Sequence, residues 1–413
     1  MRTKSEEACE RGERACERGD YDKAIADYTE AIRLNPEYVK AYYGRGLAYG
    51  LKGEYDKAIA DSTEVIRLKP GNAIAYNNRG IAYWANGDND LAIDDYNKAI
   101  RLDPNDGDSY YNRGVAYGQQ GEYDKAIADF TEAIRRGPKT AEAYYNRGVA
   151  YGDKGDYEHA IIDYTAAIQL DPKDANAYCG RAVAYASKED YDNAIADYTE
   201  AVRLDPKDAW AYYYRGVAYD RTGECDKAIV DFTEAIRISP KYANAYGKRG
   251  QVYGQTCDFD KAMTDLTEAI RLNPNDTSAY YNRGLAYGHK GEFDKAIADL
   301  TEAVRINPNY ADAYGNRGVA YGHKAEYGKA ITDFTEAIRL NSKDTLAYCN
   351  RALAYRHTGD FDQAIADYSE VIRLNPTMAR AYYNRAKTYE TKGETAKAEE
   401  DFAEAKKLGF KTK

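Results

Sequence analysis

Apolar and polar positions repeat along this chain with two nested periods. The short period is three to four residues, as in Tyr76, Gly80 and Tyr83 or Ala92, Tyr96 and Ala99, which sets each trio on one face of a helix. The long period is 34 residues, so that each pair of amphipathic stretches recurs without insertion or deletion. The pattern predicts two helices per unit and twelve units, starting at residues 5, 39, 73, 107, 141, 175, 209, 243, 277, 311, 345 and 379. A fixed period of this length marks a solenoid, in which each unit buries its apolar face only against its neighbours.

The breaks between helices are as regular as the helices. All ten prolines, Pro36, Pro70, Pro104, Pro138, Pro172, Pro206, Pro240, Pro274, Pro308 and Pro376, stand at position 32 of a unit, and Ser342 fills the one vacant node between them. Proline lacks the amide hydrogen that a helix interior needs, so it ends the second helix of each unit. Position 15 is Gly in nine units, suited to a left-handed close of the first helix, and position 16 is Asp or Glu in all twelve, suited to the start of the second. Position 8 is Gly or Ala and position 20 is always Ala, which lets the two helices approach closely.

Tyr-x2-Arg-Gly-x2-Tyr, then Ala-x3-Tyr/Phe, then Pro, resembles the tetratricopeptide repeat (TPR). The resemblance implies an all-α, right-handed superhelical solenoid over residues 1–413. It also implies a concave groove lined by the first helices, where positions 2, 5, 6, 9, 12 and 13 meet a ligand. One departure is systematic: position 7, usually Leu in the family, is Arg from Arg11 to Arg385, and position 23 is Asp from Asp27 to Asp401. An unpaired guanidinium near the interhelix seam costs several kcal/mol, so a ladder of Arg–Asp pairs is expected. Lys57 with Asp61 and Glu64 with Arg67 are expected to pair along the second helix.

Composition narrows the function. The formal charge of -10 argues against nucleic-acid binding, which needs a basic face. No apolar run approaches the roughly 20 residues of a membrane span, and the first residues carry no signal-peptide core, so a cytoplasmic protein without membrane insertion is expected. Cys9, Cys16, Cys179, Cys225, Cys257 and Cys349 are scattered over the unit and read as free thiols. His289, His323 and His357 share position 13, but residues one repeat apart stand too far from each other to ligate one metal. No nucleophile–base set, phosphate-cradling loop or metal motif is present, and a protein without catalysis, cofactor or metal is expected.

What distinguishes the units lies in the expected groove. Position 6 is Asn at Asn78, Asn112, Asn146, Asn282, Asn316, Asn350 and Asn384, a row that resembles the asparagine ladder of the O-GlcNAc transferase TPR superhelix. Each amide offers a donor and an acceptor to the backbone of an extended peptide. Tyr145, Tyr213, Trp84 and Trp210 stand beside that row as candidate contacts. Glu6, Glu13, Glu17, Asp108, Glu142 and Asp153 make the N-terminal groove acidic, whereas Arg356, His357, Arg380 and Lys387 form a candidate anion pocket near the other end. The residue set that clamps heat-shock chaperone C-termini in TPR proteins is not reproduced: no unit has Lys at position 5 or Asn at position 9. A scaffold that binds an extended peptide or partner protein is therefore expected; the alternatives are a self-assembling superhelix or a regulatory subunit of an enzyme or secretion complex.

Overall fold

The computed structural model describes residues 2–137 and 140–410. Its regular structure among those residues is twenty-four α-helices, two per 34-residue repeat. Contacts group the chain into two compact units, Met1–Pro206 and Lys207–Lys413. Each unit holds six of the repeats, and within each a helix packs on the next in sequence while the first helices of successive repeats also touch. No described helix is long and apolar enough to cross a membrane.

Repeat two shows the local logic. Helix α3 (Val39–Leu51) is closed by Gly53 at φ 75°, and α4 (Tyr55–Leu68) follows directly. Position 15 takes this left-handed conformation in the repeats that lack glycine too: Glu189, Cys257 and Ala325 have φ of 61°, 63° and 58°. The turn geometry is set by packing, and glycine only makes it cheap. Before the prolines the chain is extended, as at Asn35 (φ -141°, ψ 95°). Asn341, before Ser342, is the same (φ -134°, ψ 88°), so the turn forms without proline. Pro138 and residues 411–413 lie outside the described residues.

The second helices bury the expected stripe, for example Ala92, Tyr96 and Ala99. The first helices depart from expectation. Their buried rows are small residues at positions 3, 8 and 10, such as Ala41, Gly46 and Ala48, while Tyr42 and Tyr49 are only half-buried. The small residue at position 8 leaves the seam to the position-24 ring of the second helix, as Gly80 does to Tyr96, and the tyrosines at positions 4 and 11 lie beside it.

Those displaced tyrosines flank the arginine. In repeat three the Arg79 guanidinium carbon lies 5.7 Å from the Tyr76 ring centre and 5.9 Å from that of Tyr83. The expected Arg–Asp pair lies within each repeat. In repeat five Arg147 donates Nε and Nη2 to the two carboxylate oxygens of Asp163, both at 2.7 Å, with the side chains 17% and 3% exposed. Its remaining Nη1 donates to Thr131 Oγ1 of the preceding repeat at 3.0 Å. That threonine in turn donates to the Ile127 carbonyl, so one guanidinium ties three helices. The Asp163 hydrogen bonds hold Arg147 above the usual arginine range.

The first repeat makes a poorer version. Arg11 gives a single 3.0 Å bond to Asp27 and is 47% exposed, and the buried Asp27 Oδ2 has no partner. Because Arg45 takes Asp61, Lys57 does not pair with that aspartate and binds Glu54 instead at 2.6 Å. Glu64 and Arg67 pair at 2.6 Å as expected. The six cysteines are free thiols.

Candidate peptide groove

Position 6 lies on each first helix one residue before the clamp arginine. The seven asparagines there are all half-buried. Three spend an amide hydrogen on position 5 of the preceding repeat: Asn112 on Asn77 Oδ1 (3.1 Å), Asn146 on Tyr111 Oη (2.8 Å) and Asn316 on Tyr281 Oη (3.1 Å). Asn316 also donates to the Asp312 carbonyl at 2.9 Å. The row is thus partly bonded to its own protein. Each of these amides gives up donors and keeps its carbonyl oxygen as an acceptor. Asn78, Asn282, Asn350 and Asn384 make no such bond among the described residues.

The position-5 tyrosines are walls. Tyr145 leans on Tyr164 with ring centres 5.7 Å apart, and Tyr213 on Phe232 at 5.8 Å. Tyr213 is only 8% exposed, and burial pushes its phenol up to about 12. It belongs to the core cluster around Phe232. Trp84 is half-buried and donates its indole N–H to Gln119 Oε1 at 2.9 Å, spanning adjacent repeats. Trp210 is 39% exposed, its ring 4.2 Å from that of Tyr214.

Arg356 on α21 (Thr345–Thr358) and Arg380 on α23 (Ala379–Lys392) both act on the buried Tyr368 phenol. Burial raises that phenol against the pull of the two guanidinium groups. Lys387 also feels Arg356 but pairs with Glu390 at 2.8 Å, which holds it above the usual lysine range. His357 is drawn elsewhere: its ring stacks on Tyr327 of the preceding repeat, centres 4.5 Å apart and planes 2° from parallel. His289 on Phe259 and His323 on Phe293 stack in the same way. At the acidic end, Glu6 is spent on the Thr3 capping box and Glu13 on Lys40 at 2.7 Å.

Side cavities open between successive first helices. In the second compact unit one of 230 Å³ is lined by Val319, His323, Tyr327, Phe334, Asn350 and His357, and one of 200 Å³ by Leu285, His289, Leu300, Asn316 and His323 among others. In the first unit a cavity of 320 Å³ lies between repeats two and three. Among the described residues no cluster of His, Cys, Asp or Glu is arranged to hold a metal ion.

A family model described as TPR repeat matches residues 12–53, 51–87, 85–121, 184–223, 258–291 and 352–393, together more than half of the chain. The chain belongs to the tetratricopeptide repeat family. Related models described as tetratricopeptide repeat match this TPR protein at 111–175, 211–242, 277–310, 311–344 and 379–408. No curated relative matches it. Among solved structures, it is similar to YrrB, described as a TPR protein with an unusual peptide-binding site (26% identity, 45% of this chain and 95% of that one, TM-score 0.41). It is also similar to MamA (30% identity, 40% and 96%, TM-score 0.39) and to the Cut9–Hcn1 hetero-tetramer of APC/C (15% identity, 99% and 94%, TM-score 0.48). The TPR architecture is that of a protein–protein interaction scaffold.

Proposed function

We propose that this TPR protein is a non-enzymatic scaffold that holds an extended peptide along the asparagine row of its first helices. In the second compact unit an acidic side chain or terminal carboxylate of that peptide is held at Arg356 and Arg380. The observation that carries the reading is the row itself. Asn282, Asn316, Asn350 and Asn384 recur at one position on successive first helices, half-buried, each with an unspent carbonyl oxygen. Evenly spaced acceptors of this kind match backbone N–H groups whatever the peptide's sequence. Arg356 and Arg380, which both act on the buried Tyr368 phenol, supply the anion-selective end in this reading.

The test is fluorescence anisotropy with a capped, unstructured acidic peptide and its neutral amide-substituted counterpart. Arg356→Ala, Arg380→Ala and Lys387→Ala together should weaken the acidic peptide by about tenfold and flatten its salt dependence, and leave the neutral one unchanged. Asn316→Ala with Asn350→Ala should weaken both peptides by about fivefold or more, as loss of two hydrogen bonds requires. Unchanged affinities in both variants would overturn the reading.

A further inference from the structure

Repeat two lacks a side chain that every other repeat has. Position 24 is Tyr, Phe or Leu in eleven repeats and Ser62 in this one. Elsewhere that side chain is buried over the glycine or alanine at position 8: a methyl group on Gly80 would come within 2.6 Å of Tyr96, and one on Gly318 within 2.8 Å of Phe334. The same methyl group on Gly46 would meet nothing closer than Asp61 Cβ at 3.3 Å, with Ser62 Oγ at 3.9 Å. The neighbours have not moved in to fill the gap. The cavity between α3 and α5 (Ala73–Ala85), within the first compact unit, is accordingly 320 Å³, against 230 Å³ at the equivalent place beside Phe334.

The walls are unlike those of the cavities described above. Leu47, Leu51, Val65, Ile81 and Ala85 surround the space, and Leu51 and Ala85 stand at position 13, where the others carry histidine. Leu47, Leu51 and Ile81 are 42%, 64% and 40% exposed, so the mouth is as apolar as the interior. Asn78, a rung of the asparagine row, lies on the rim. An apolar space of this size, near the roughly 300 Å³ lower bound of small-ligand sites, favours an apolar occupant over water.

We propose that the cavity at Ser62 is a specificity pocket for one aromatic side chain, Phe or Tyr, of a peptide bound at Asn78. The occupant is identified by the sibling repeats, most of which place their own ring in the part of the cavity that Ser62 leaves vacant. Asn78 would hold the ligand backbone while the ring enters between Gly46 and Ile81, the place vacated by the missing residue. The proposal rests on the peptide-binding reading for its occupant and on the cavity alone for its chemistry.

The experiment separates these two. Toluene, titrated into the full chain by calorimetry, should bind at one site, and Ser62→Phe should weaken it by about tenfold or more because the introduced ring takes the space. Ser62→Ala, which keeps the space, should bind toluene as the native chain does, and Ser62→Phe should melt no lower than native, which shows that it folds. Capped peptides differing only as Phe or Ala should differ by about tenfold on the native chain and not on Ser62→Phe. Toluene binding that is absent, or equal in Ser62→Phe, overturns the pocket. Toluene binding with no Phe–Ala difference overturns the peptide occupant and leaves an aromatic small-molecule site.

Discussion

Repeats two and ten share a frame and differ in what the frame leaves open. The clamp has the same shortest distance in both, 2.7 Å for Arg45–Asp61 and for Arg317–Asp333. Both guanidinium groups also reach back to a threonine of the preceding repeat, Thr29 and Thr301. Around that frame, repeat two has Ser62, Leu51 and Gly53 where repeat ten has Phe334, His323 and Ala325. The first set leaves an apolar cavity of 320 Å³, and the second narrows the equivalent cavity to 230 Å³ with a buried phenyl ring and a histidine stacked on Phe293. A strong, local and repeated polar clamp therefore lets neighbouring positions vary without loss of the helix pairing.

Phe334→Ser, which gives repeat ten the hole of repeat two, is the severest way to break this comparison. Removal of a ring 3% exposed should cost about 3 to 5 kcal/mol in urea unfolding, since the walls of a repeat relax only in part. A loss below about 1 kcal/mol would show that the space collapses, and that repeat two is held open by something besides Ser62.

Next in size is loss of the clamp. Arg45→Leu and Arg317→Leu each restore the commoner family residue but strand an aspartate whose side chain is 6% exposed. Each should cost about 3 kcal/mol, at the lower end for a buried pair because the arginines keep 18% and 15% exposure. Hydrogen exchange should place the loss in the substituted repeat and its neighbours. Unequal losses in the two repeats would mean that the frame is not shared. Arg11→Leu, by contrast, removes a single bond from a half-exposed arginine and should cost less than either.

The smallest effect sharpens the comparison. Ala325 has φ 58° where Gly53 has 75°. Ala325→Gly should raise stability by up to about 1 kcal/mol in the same unfolding assay, as relief of a left-handed alanine outweighs the chain entropy of glycine. A destabilised variant would show that position 15 is not strained.

Much of this was legible in the residues. The repeat count, the helix pairs, the proline turns and the Arg–Asp partnership all follow from a pattern that recurs every 34 residues. A pairing present twelve times in phase has few geometries open to it. The site was less legible. Asn78 to Asn384 could be seen as a row, but not that three of them spend amide hydrogens on position 5 of the preceding repeat. His357 could be placed next to Arg356 in sequence, but not turned toward Tyr327. Ser62 was visible as the small residue at a large position, and the Thr at position 25 in nine of the twelve repeats was a signal for the second clamp contact.

By itself, then, the sequence determined everything that depends on spacing along one chain segment: helix, turn, and the partner sixteen residues away. Only the tertiary structure decided which face of each first helix is buried, what the arginine's third donor reaches, and whether the space left by Ser62 stays open. Those outcomes turn on how closely two neighbouring repeats approach. That distance is set by the small side chains of both repeats together, so no single unit contains it.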